Sequence, residues 1–147
     1  MHLTLINPNI CMQKGDLFGT GIPYMPMSLA WLAGYLRSKN YQLTVIDAFG
    51  ENPLKIREEG NLRVQGLTLQ EIVTKVPKNT DVICVYAAKV VAFTITKAIV
   101  KALRTAFTIP IVMLENTQSV VAYSLKVAGK EFLDAGADYC LIGEAEN

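Results

Sequence analysis

Short runs rich in Leu, Ile and Val alternate along this chain with longer segments whose apolar residues recur at helical spacing. That alternation is the pattern of a parallel sheet covered on both faces, and it leaves few other architectures open. The first run is Leu3 to Asn7, followed by a loop from Pro8 to Tyr24 and a helix that places Leu29, Leu32, Ala33 and Leu36 at i, i+3, i+4 and i+7. Pro26 falls near that helix's first turn, where its missing N–H does no harm. The second run, Leu43 to Ile46, ends at Asp47, and the glycine- and charge-bearing stretch from Gly50 to Gly66 reads as an exposed excursion.

Thr68 and Glu71 have the spacing of a capping box, with Leu67 and Ile72 as its hydrophobic staple. A short helix therefore starts there and stops before Pro77. The third strand is Val82 to Tyr86, and the next helix puts Ile95, Ile99, Ala102 and Ala106 on one stripe. Pro110 opens the strand Ile111 to Leu114. A fourth helix from about Val120 aligns Val121, Leu125, Ala128, Phe132 and Ala135, with Gly136 as its left-handed stop. The last strand is Tyr139 to Ile142.

Five strands and four intervening helices, joined by right-handed crossovers, predict a three-layer α/β/α domain spanning residues 1–147. The expected sheet is doubly wound, flavodoxin-like and parallel, with order 2-1-3-4-5. Ligands of such sheets lie beyond the carboxyl ends of the strands, where the order reverses. The functional loops are then Pro8 to Tyr24, Tyr86 to Ala92, Glu115 to Ser119 and Gly143 to Asn147.

Composition narrows the partners. With 14 basic and 13 acidic residues the net charge is +1, so no field draws the chain to nucleic acid or to an anionic membrane. No apolar stretch reaches the length of a membrane span, and no export signal opens the chain, so a cytoplasmic protein is expected. Three dispersed cysteines, Cys11, Cys84 and Cys140, form neither a disulfide framework nor a metal-type pair. His2, the only histidine, is expected in a frayed terminus.

The common occupants of this fold fail in turn. A receiver domain needs acids after the first strand to hold Mg²⁺, and here the strand ends in Asn7-Pro8-Asn9. A flavodoxin phosphate loop needs backbone N–H donors at the point where Pro8 removes one. Gly19-Thr20-Gly21 lies too far beyond the strand for a dinucleotide fingerprint. With one histidine, beside the initiator methionine, a Ser-His-Asp triad has no base.

Four ordered pieces remain: Leu5-Ile6-Asn7-Pro8; Pro26-Met27-Ser28-Leu29-Ala30-Trp31-Leu32-Ala33; Val45-Ile46-Asp47-Ala48; and the closing Gly136-Ala137-Asp138-Tyr139-Cys140-Leu141-Ile142-Gly143-Glu144-Ala145-Glu146. Together these span nearly the whole chain, and they resemble the amino-terminal cobalamin-binding domain of B12-dependent radical S-adenosylmethionine (SAM) enzymes. The resemblance implies a corrinoid-binding module of an enzyme of methyltransferase type, not itself catalytic. It further implies that the [4Fe–4S] cluster and SAM belong to a radical SAM domain outside this chain, in cis or in trans.

On that resemblance the cofactor-facing residues are Asn7, Pro8, Asn9, Gly21 and Met25 after the first strand, and Tyr86, Ala87 and Lys89 after the third. Glu115, Asn116 and Thr117 follow the fourth, and Gly143 and Glu144 the last. The sequence departs from related corrinoid domains in three places. The D-x-H-x-x-G of stand-alone corrinoid domains is missing, so the resemblance implies a corrinoid held without a histidine lower ligand. Leu114-Glu115 replaces a Gly-Gly pair, and Tyr86 is bulkier than the usual small residue. Plainer roles stand beside each assignment: strand-end caps for Asn7 and Asn9, a helix-start core contact for Met27, solvated surface for Lys89, a helix cap for the polar run from Glu115, and packing or an interface patch for Trp31 and Tyr35. The alternative function is a domain that has lost the cofactor and serves as a docking or regulatory module.

Overall fold

The computed structural model describes residues 1–15, 26–87, 90–115 and 123–143. Among the described residues, eight strands and four helices occur in the order β1 (His2–Asn7), β2 (Ile10–Gln13), α1 (Met27–Ser38), β3 (Gln42–Asp47), β4 (Ile56–Glu59), β5 (Leu62–Gln65), α2 (Leu69–Lys75), β6 (Val82–Tyr86), α3 (Phe93–Ala106), β7 (Ile111–Leu114), α4 (Leu125–Ala135) and β8 (Tyr139–Leu141). A short 3-10 turn, Val90–Ala92, leads into α3.

The central sheet is all-parallel with order β3-β1-β6-β7-β8. Counting only its own strands, this is 2-1-3-4-5, the flavodoxin-like order expected from the sequence. Alternate side chains of each strand go to opposite faces. Ile6, Ile83, Val85, Ile111 and Met113 join Ile72, Ile99, Leu103 and Phe132 in the core beneath α2, α3 and α4. Leu5, Cys84, Tyr86 and Leu114 join Leu29, Leu32 and Ala33 in a smaller core beneath α1.

Local signals account for the helix ends. Thr68 and Glu71 form the reciprocal capping box, and the staple residues Leu67 and Ile72 are 4% and 0% exposed. Lys55 reaches across to the same carboxylate at 2.8 Å. The Gly136 backbone is left-handed at φ +114, ending α4, and Arg104 packs where a Cβ would stand.

Three expectations need correction. The stretch between Gly50 and Gly66 is no irregular excursion: β4 and β5 make a hairpin, and β2, from the loop after β1, pairs with β5 to complete a three-stranded antiparallel sheet. Its charged alternation hid it, because only one face meets the core, through the buried Cys11 and Val64. The buried stripe of α3 is Ile95, Thr96, Ile99, Val100 and Leu103, while Ala106 is exposed, since the helix is rotated toward its larger side chains. His2 is not frayed: its N–H donates to Asp81 and its ring meets the Thr44 hydroxyl at 2.9 Å. Two helix-end details also differ. The fourth helix begins at Leu125 after a Ser124 cap, and the expected Val120 and Val121 start lies outside the described residues. Met27 is 66% exposed, so it is not a core contact.

The capping box sets a pH dependence. Hydrogen bonds from Lys55 and Thr68 hold the Glu71 carboxyl at about 2, below its ordinary 4.5. The folded state therefore gains stability from Glu71 above pH 4.5 and loses it as the pH falls toward 2. Urea unfolding of Thr68→Ala is expected to show a loss of about 1 kcal/mol at pH 7. That gap should narrow in acid, and a gap independent of pH would contradict the assignment.

Candidate functional site

The order of the central sheet reverses between β1 and β6, which makes the carboxyl ends of these strands the place to look for a ligand. The residues there have been recruited in two different ways. On the β1 and β3 side, the chain closes the rim itself. Asn7 lies opposite Asp47, and its Nδ2 donates to Asp47 Oδ1 at 2.8 Å. Pro8 and Asn9 are buried, and Asn9 Nδ2 donates to the carbonyls of Gln65 and Leu67 at 3.1 and 2.9 Å.

Asn9 therefore pins the antiparallel sheet over the ends of β1 and β3. Gly66 completes the junction: its backbone is left-handed at φ +116, and a Cβ there would stand 2.1 Å from the Ala48 carbonyl oxygen. β2 also lies against the 3-10 turn that follows β6, so the wall extends across the switch point. Two buried acceptors in this wall, Asn9 Oδ1 and Gln65 Oε1, have no hydrogen-bond partner among the described residues. Arg57 donates from below to the carbonyls of Gly66 and Leu67.

On the β6, β7 and β8 side, backbone bonds carry the ladder one step past the strand ends. Ala87 N–H donates to the Leu114 carbonyl and Glu115 N–H to that of Leu141. Tyr86 is 8% exposed and packs into the core under α1, so it does not stand over the rim as a sequence reading of its bulk suggests. Glu115 is the organiser here. One carboxylate oxygen accepts from Ser124 Oγ and Leu125 N–H, and the other from Gly143 N–H at 2.7 Å. It thus caps α4 and ties down the turn after β8, where Gly143 is left-handed at φ +90.

Burial pushes the Glu115 carboxyl up, yet the hydrogen bonds from Gly143, Leu125 and Ser124 outweigh it and hold the group below its ordinary value. It is an ionised structural acceptor rather than an acid catalyst. The thiols are no better placed for chemistry. Burial raises Cys84 and Cys11 to about 12 and also raises Cys140, which keeps all three protonated at neutral pH.

The structure brings Asn7, Pro8, Asn9, Tyr86, Ala87, Glu115 and Gly143 to one edge of the sheet. Gly21, Met25, Lys89, Asn116, Thr117 and Glu144 lie outside the described residues. Sequence reasoning missed Asp47, Gln65, Gly66 and Arg57 as members of the wall. The two-residue turn Gly60-Asn61, with Gly60 at φ +58, was the available signal for the hairpin that carries them. Among the described residues no three His, Cys, Asp or Glu side chains gather to hold a metal ion, and no helix is long and apolar enough to cross a membrane.

Glu115→Ala should cost about 1 kcal/mol, the value of a lost helix cap. Glu115→Gln should be destabilised at neutral pH, because its amide would face backbone donors. Since the carboxyl is held low in the folded state, that deficit is full above pH 4.5 and shrinks below it. Urea midpoints between pH 7 and pH 3 check this, and a deficit that grows in acid would refute it.

No family model matches the chain, and no curated protein matches it. Solved structures do match in fold. A CheY-like protein, TadZ, from Pseudomonas aeruginosa PAO1 aligns with a TM-score of 0.50 and 13% identity, over 95% of this chain and 85% of that one. At that identity the likeness extends to the fold alone: this chain is a flavodoxin-like α/β domain.

Proposed function

We propose that the chain is the corrinoid-binding module of a B12-dependent radical SAM enzyme of methyltransferase type. The supporting observation is convergence. Asn7-Pro8, the Pro26 start of α1, Asp47-Ala48 and Gly143 come from four separate segments that resemble the cobalamin-binding domain, and all lie at the carboxyl edge of a 2-1-3-4-5 sheet. The antiparallel sheet occupies the β1 and β3 half of that edge. The cofactor is then assigned to the β6, β7 and β8 half, beside Ala87, Glu115 and Gly143.

A corrinoid held there would be gripped by its amide fringe and tail rather than through a histidine on cobalt. The only imidazole, His2, is at the opposite end of β1, about 17 Å from Asn7 at strand rise. The cofactor supplies methyl or radical chemistry at cobalt, while this chain's residues bind and orient it; the iron–sulfur cluster and SAM belong to the partner domain.

A second reading, a docking module without cofactor, is favoured by one observation. Glu115, standing where related domains have a glycine pair, is fully engaged in capping α4 and the Gly143 turn.

Gel filtration after mixing with hydroxocobalamin separates the two. The first reading expects a coloured protein peak with a shifted visible spectrum, and His2→Ala should leave that spectrum unchanged. A colourless peak would remove the first reading, and a spectral change in His2→Ala would remove ligation without histidine.

A further inference from the structure

We draw no further inference here: the strongest candidate, the exposed apolar side chains of Tyr139, Leu141 and Ile142 on and just past β8 at the free edge of the central sheet, carries nothing because no feature of the structure shows what covers it.

Discussion

The short junction between Asn9, Ala48 and the turn from Gln65 to Leu67 decides what this sheet edge can do. A buried amide, Asn9 Nδ2, bridges two carbonyls, and a left-handed glycine, Gly66, lets the chain pass against Ala48 where no side chain would fit. Leu67 N–H returns to the Ala48 carbonyl at the same point. Remove that junction and β2, β4 and β5 lose their anchor to the central sheet. That edge is where a doubly wound sheet ordinarily presents its ligand site.

With the junction in place, the edge has two unlike halves. Over β1 and β3 it is a wall of backbone hydrogen bonds with Cys11 and Val64 packed beneath. Over β6, β7 and β8 it is organised by one carboxylate, Glu115, which uses both oxygens to hold the start of α4 and the turn at Gly143. The same asymmetry recurs on the faces of the sheet: three helices bury one side, whereas α1 leaves Tyr139 and Leu141 in solvent.

The framework was readable in the sequence because each element carried its own local signal. Thr68 and Glu71 announce a capping box, Gly136 a left-handed stop, and the runs Val82 to Tyr86 and Ile111 to Leu114 are too short and too apolar for anything but buried strands. What escaped was structure made by pairing at a distance. β4 holds Ile56, Arg57, Glu58 and Glu59, and no periodicity marks it as sheet until β5 and β2 lie beside it. Asn9 reads as a turn residue, and its burial depends on Gln65 and Leu67, more than fifty residues away. Glu115 was legible as a helix cap in kind, but its bond to Gly143 joins two loops that only the β7 and β8 pairing brings together.

The most direct test of a divided edge is hydrogen–deuterium exchange of the full chain with and without hydroxocobalamin. The account predicts added protection at the ends of β6, β7 and β8, around Ala87, Glu115 and Gly143, with no change in the hairpin of β4 and β5. Protection concentrated in that hairpin, or none along the β6 to β8 ends, would contradict it.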